Sequence, residues 1–483
     1  MSRARNASKK RSSRRRNKPT NCNSNSKQIR DAMNWLITSK TFADLSFHGN
    51  TSWCPSDLIV LTLFWIWSAT PKLTEAFEDA RDQSVKLIGT SALTTYQGLA
   101  GALQTWTPTF MPLLQVRLHD LINQIDGQHL RIGRWLAIAM DGSRGTTPRT
   151  VSNEKAFCAK NYGKGKTAKY RKKKTKGMRR RKNQKAKPQP QSPQIWITLM
   201  WHIGLGVPWC WKLGPSNSSE RQHVKDMIVT GHFLKKTLFV GDAGFVGYEF
   251  WKLILEQRHH FLVRVGGNVR LLEGLGFYTE RKKGIVYCWP NAAMKENVPP
   301  LVLRLVKCRL GRKKKVCLLT SVLDEQDLSH KEVLSLYEQR WGVELEFRAL
   351  KQTFQRRVLR SRKSERALVE MEWSIFAMTV IELFALKEQM PEKHASPEQL
   401  SFAKSLRAVR RSLQNLSDRP KHVPDFRTML RQALVDDYER TGSKAARYRP
   451  NKKDKPSCGL PKIYRATAMH RKKLKEFNTQ NAA

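Results

Sequence analysis

Three acidic side chains stand in settings suited to holding a hard divalent cation. Asp141 and Asp242 each close a short apolar run, residues 135–140 (WLAIAM) and 237–241 (TLFVG). Runs of that length with glycine close behind read as buried strands rather than helices. Both aspartates are therefore expected at strand ends, where α/β folds commonly place chemistry. The third acid, Glu344, lies within residues 337–351 (YEQRWGVELEFRALK). On a continuous helix at about 100° per residue, Tyr337, Arg340, Glu344 and Lys351 fall inside a roughly 60° arc, with Arg348 on its edge. Glu346 lands near the opposite side, so Glu344 is the metal-ligand candidate and Glu346 is not. Mg2+ takes oxygen ligands, and two such ions about 3.5–4 Å apart activate an attacking oxygen and stabilise a leaving one. Arg340, Lys351 and Tyr337 would grip phosphate oxygens beside the carboxylate. An ordinary surface helix with i,i+4 and i,i+7 ion pairs shows the same spacing; the two strand-end aspartates and the overall charge favour metal-assisted phosphodiester chemistry.

That charge is +49 over 483 residues, with 89 Lys+Arg against 40 Asp+Glu. Such an excess points to a polyanionic partner, DNA or RNA. Residues 1–18 hold nine cations and residues 155–187 sixteen, with no acid in either run. Like charges repel and little can be buried, so both runs are expected to be disordered without a partner. The eight cysteines form no Cys-x-x-Cys pair, which gives a zinc site or disulfide framework little support. The apolar run at residues 58–69 (LIVLTLFWIWSA) is short of the roughly 20 residues a bilayer span needs, and no apolar signal core follows the N-terminal charges. A soluble, intracellular protein with no membrane partner is expected.

Positioning these side chains requires a mixed α/β sheet. Residues 1–27 read as a basic arm and 28–130 as a helical N-terminal domain able to bind DNA. Residues 131–272 read as the first part of the core, interrupted by the basic loop 155–193. Within it, residues 195–203 and 207–213, joined by Gly204-Leu205-Gly206, form a hairpin. A capped helix follows at 220–229, then strand 237–241, helix 245–257 and strand 260–265. Residues 273–327 read as a β-rich insertion, 328–395 as the second part of the core with the Glu helix, and 396–483 as a helical, then basic and loosely ordered, C-terminal region. A helix is also expected at 110–125 after a Pro-rich turn.

The spacing Tyr-x2-Arg-x3-Glu-x6-Lys, filled by Tyr337, Arg340, Glu344 and Lys351, resembles the signature of bacterial insertion-sequence DDE transposases with a YREK helix, the insertion-sequence four group. Trp341 after the Arg, residues 241–245 (GDAGF), residues 141–143 (DGS) and residues 213–221 (LGPSNSSER) share the family's look. The resemblance covers roughly residues 130–390. It implies a ribonuclease-H-like catalytic core with a β insertion before the Glu helix, and Asp141, Asp242 and Glu344 as catalytic, metal-holding residues. It further implies Tyr337, Arg340 and Lys351 as phosphate ligands, with Arg348 beside them, and Mg2+ as cofactor with Mn2+ as a substitute. The partners implied are mobile-element ends and target DNA, with a homodimer in the synaptic complex of a cytoplasmic, nucleoid-associated prokaryotic protein. Related enzymes use an aromatic of the β insertion to support a flipped base. Trp289 is the candidate by region, although a strand tryptophan is more often simply buried. The alternatives are a non-catalytic DNA- or RNA-binding protein derived from a transposase, or a recombinase acting through a covalent protein–DNA link.

Overall fold

A computed structural model of the chain describes residues 24–47, 51, 53–125, 128–158, 192–276, 283–310, 314–391, 396–416, 422–436 and 459–480. Most of the basic arm and most of the basic loop fall outside these residues. Among the described residues, ten strands form one mixed sheet: β1 Leu136–Thr146, β2 Gln194–His202, β3 Val207–Pro215, β4 Thr237–Gly241, β5 His260–Val265, β6 Arg270–Glu273, β7 Ile285–Cys288, β8 Leu301–Leu310, β9 Lys314–Thr320 and β10 Lys462–Arg465. The order across the sheet is β10-β6-β7-β8-β9-β5-β4-β1-β2-β3. β1, β4 and β5 are parallel, and β2 and β3 fold back antiparallel as the hairpin anticipated from residues 195–213. The β-rich residues 285–320 continue the same sheet, because β9 pairs antiparallel with β5.

The helices meet on Ser364–Gln389, whose stretch from Trp373 to Leu386 is buried throughout. Each large apolar side chain fully buried there stabilises by about 1.5–3 kcal/mol. Polar tether points fix its neighbours: the Trp67 indole donates to the Ala377 carbonyl at 3.0 Å, and the Trp373 indole to Thr107 Oγ1 at 2.8 Å. The buried Arg356 guanidinium donates to Ser374 Oγ and to the Ile66 carbonyl, both at 2.8 Å, locking the N-terminal helix Pro55–Trp67 onto the core. No helix among the described residues is long and apolar enough to cross a membrane.

Four sequence expectations need correction. β1 does not stop at Asp141 but runs to Thr146, because β2 pairs with it out to Thr146↔Gln194. The helix expected at 110–125 is one helix, Tyr96–Ile125, that passes through Pro108 and Pro112. Each proline removes one N–H donor, and the buried row Leu103, Phe110, Met111, Leu114 and Leu118 offsets that loss. The Glu segment is not one helix. It breaks after Gln339, resumes at Gly342–Arg348 and widens into a π turn at Ala349–Thr353. Finally, residues 459–480 are ordered: β10 pairs parallel with β6 and leads into the helix Ala468–Gln480.

Candidate active site

The register of β1 and β4 brings the two aspartates together. Ala139 stands opposite Val240 in parallel pairing, so Asp141, two residues on, is level with Asp242 on a strand about 4.8 Å away. β4 ends at Gly241, and the chain turns at once. Asp242 Oδ1 accepts the Gly244 N–H at 2.7 Å and the Asp242 carbonyl accepts the Phe245 N–H at 3.2 Å. Asp141, in mid-strand, is half-buried. Burial pushes its carboxyl up to about 6, and the charges of Asp242 and Glu344 push the same way, while the Gly142 N–H and Arg340 oppose them.

Glu344 arrives on a segment laid across β1. Its approach begins with Ser329, which exchanges hydrogen bonds with Glu332 in a capping box and starts the helix His330–Gln339. At Gly342 the chain passes so close to Trp201 that a Cβ would stand 2.1 Å from the indole; only glycine fits without displacement. Glu344 lies 3.4 Å from Arg340, whose side chain is 9% exposed against 35% for the glutamate. The Arg340 guanidinium also sits 5.5 Å from the Tyr337 ring centre. Tyr337 is buried, which raises its phenol pKa, and Arg264 of β5 reaches the same hydroxyl. Lys351, on the π turn, donates to Ser143 Oγ on β1. Burial lowers its ammonium pKa and the nearby Asp141 charge opposes that.

The structure thus gathers Asp141, Asp242, Glu344, Tyr337, Arg340 and Lys351 into one neighbourhood. Arg348 is exposed at the end of its short helix. Glu346 faces away into the core against Glu382, and burial pushes it up to about 8. Trp289 lies just beyond β7, 6% exposed, its indole donating to the Val298 carbonyl at 2.8 Å. It also walls a pocket of about 840 Å3 that includes Ala243 and Gly244, directly after Asp242, and Tyr464, Arg465 and His470. The sequence reading missed two contributors, Arg264 and the acid Glu220, whose carboxyl is raised to about 7 by burial and by the charges of Asp141 and Asp242. The capped motif at residues 213–221 marks the start of the Glu220 helix but carries no signal of the strand it meets.

All the acids here are hard oxygen donors, the set that Mg2+ or Mn2+ prefers. The charges of Asp242 and Glu344 act on Asp141 against Arg340, and the oxygen-donor chemistry of the three acids is the kind a divalent ion takes. Among the described residues, no three His, Cys, Asp or Glu side chains approach closely enough to hold one ion; Glu344 is engaged with Arg340.

Residues 137–380, just over half of the chain, match the model of the transposase DDE domain. The chain belongs to this family. The DDE-family chain is 28% identical over 302 residues to the transposase InsG of insertion sequence element IS4 from Escherichia coli strain K12, a match covering 60% of this chain and 61% of that relative's length. Among solved structures it is similar to the piggyBac transposase synaptic complex with hairpin DNA, with a TM-score of 0.41 and 13% identity over 85% of this chain and 86% of that one.

Proposed function

We propose that the protein is a DNA transposase that cuts the ends of its mobile element and joins them to target DNA, with Asp141, Asp242 and Glu344 holding Mg2+. The observation that carries this reading is the parallel register that sets Asp141 beside Asp242, with the Glu344 segment laid across the same strand. The strand order β3-β2-β1-β4-β5 with its antiparallel hairpin arm is read as a ribonuclease-H-like core, and β6–β9 as the insertion that extends it. When bound, the divalent ions would activate the attacking oxygen and stabilise the leaving one.

The chain's own residues supply the rest. Lys351, held by Ser143 two residues beyond Asp141, and Arg340, stacked on Tyr337, place charge-assisted donors where phosphate oxygens flank the acids. Arg348 adds an exposed cation at the rim. A water attacks phosphorus at the element end, the P–O3′ bond breaks, and the freed 3′-hydroxyl attacks a second phosphodiester in the same way. Tyr337 is buried and beside two guanidinium groups, so it serves as a phosphate ligand and not as a nucleophile. Trp289, on the wall of the pocket adjoining Asp242, is the aromatic read here as support for an unstacked end base. The +49 charge, much of it in residues 1–18 and 155–187, is suited to DNA backbone contact. Two copies, one at each element end, make up the synaptic complex in the cytoplasm at the nucleoid.

The test is cleavage of DNA carrying the element's inverted repeats. Asp141→Asn, Asp242→Asn and Glu344→Gln are each expected to abolish Mg2+-dependent nicking while retaining end binding. Near-normal cutting by any one of them removes that residue from the site. Binding without cutting by the wild type under Mg2+ and Mn2+ would support a non-catalytic DNA-binding protein instead.

A further inference from the structure

The C-terminal strand and helix carry more charge than their seating in the fold calls for. β10 closes the sheet edge at β6: the Lys462 N–H donates to the Val269 carbonyl at 2.9 Å and the Ala466 N–H to the Glu273 carbonyl at 2.8 Å. Thr467 Oγ1 then accepts the His470 N–H at 3.4 Å and opens the helix Ala468–Gln480. Among the described side chains of residues 459–480, Ala466 and Leu474 alone join the buried core, with Ile463 packed against it. Six Lys/Arg stand on this stretch against one acid, Glu476, which pairs with Lys473 at 3.5 Å. At about 100° per residue, Arg471, Lys475 and Lys472 span a roughly 100° arc of the helix, and all three are exposed. As i,i+4 and i,i+3 neighbours their charges repel and weaken the helix. Among the described residues none of the three pairs with an acid. Lys462 also stands beside Arg270 in the β10–β6 register, a second like pair that works against stability. An anion laid along this face would relieve a repulsion that packing does not require. The unit also walls the pocket beside the site: Arg270, Tyr464, Arg465 and His470 line it together with Ala243 and Gly244, which follow Asp242.

We propose that residues 459–480 form a DNA-backbone surface that holds the element-end duplex where it enters the site, with Arg471, Lys472 and Lys475 as phosphate contacts. The inference rests on the reading of the protein as a transposase that cuts at Asp242. The exposed helix face adds Asn478 and Thr479 to the three cations and carries no large apolar side chain. That composition suits phosphate oxygens, which amide and hydroxyl side chains also contact, and offers little to a protein partner. The contact reads no sequence, so it adds affinity for any duplex and serves to place it. Because β10 belongs to the same sheet as β4, a phosphate held here is held at a fixed distance from Asp242.

The experiment measures binding of the full-length protein to a fluorescent element-end duplex and to an unrelated duplex, by anisotropy over a range of salt. The variant combining Arg471→Gln, Lys472→Gln and Lys475→Gln is expected to bind both duplexes about tenfold or more weakly. Its slope of log affinity against log salt should be shallower by about 2–3. Its melting temperature should be kept, because all three side chains are exposed. Unchanged affinity and slope overturn the surface and leave DNA binding by the rest of the protein standing. A loss confined to the element-end duplex overturns backbone contact. Acetylation of the wild-type lysines, read by mass spectrometry, needs no variant to fold: the end duplex is expected to protect Lys472 and Lys475, and equal modification with and without DNA overturns the proposal. Wild-type protein that binds neither duplex overturns the transposase reading itself.

Discussion

Replacing Glu346 with Gln should alter the pH dependence of stability more than stability at any one pH. Glu346 and Glu382 are 6% and 2% exposed and share a hydrogen bond between the short Glu helix and the long core helix. Burial drives Glu346 from 4.5 to about 8; burial, then the Glu346 charge, drives Glu382 upward too. An acid with a raised folded pKa keeps its proton in the folded state after the unfolded chain has lost it. Its contribution to stability is full below about pH 4.5 and drains away as pH rises toward about 8. One proton retained between 4.5 and about 8 amounts to about 5 kcal/mol, an upper limit because Glu382 can take up part of the shared proton. The amide variant cannot ionise and escapes that loss. Urea unfolding of both proteins from about pH 5 to 8 should therefore show the difference moving in favour of Glu346→Gln by about 2–4 kcal/mol. Parallel pH profiles would refute the claim that this pair is protonated at neutral pH.

Three further outcomes follow from named contacts. Gly342→Ala forces a methyl to 2.1 Å from the Trp201 ring, so thermal unfolding should show a loss of about 1–3 kcal/mol, with slower end cleavage because the same helix carries Glu344. Lys351→Met removes a partly desolvated ammonium and its contact with Ser143; end-DNA affinity by fluorescence anisotropy should fall about tenfold with little change in melting temperature, and unchanged affinity would remove Lys351 from the DNA contact. With +49 formal charge, affinity for end DNA should drop about a thousandfold or more between roughly 50 and 200 mM salt; a flat salt profile would contradict backbone-driven binding.

Much of this site was legible locally, and the failures share a cause. The apolar runs before Asp141 and Asp242 and the Gly204–Gly206 turn carry their own signals of length and punctuation. The end of β1 does not, because Asp141 stays in the strand only through pairing with Leu199 on β2, a partner beyond the basic loop. The break at residues 340–342 is equally tertiary: Trp201 presses on Gly342, and an ideal helical wheel has no means of including it. The wheel still grouped Tyr337, Arg340, Glu344 and Lys351, since three of the four lie before the π turn re-phases the chain. Glu220 went unread because a capped helix start reveals its cap and not the strand it will meet. The tail at 459–480 looked unstructured because β6, the edge that orders β10, is nearly two hundred residues earlier.

The most direct measurement is anomalous X-ray scattering from Mn2+ in crystals of the protein bound to its own end DNA. The account expects manganese in contact with Asp141 and Asp242, with Glu344 released from Arg340 to complete the site beside a phosphate at the element end. Manganese bound elsewhere, or a DNA end docked away from these acids, would contradict it.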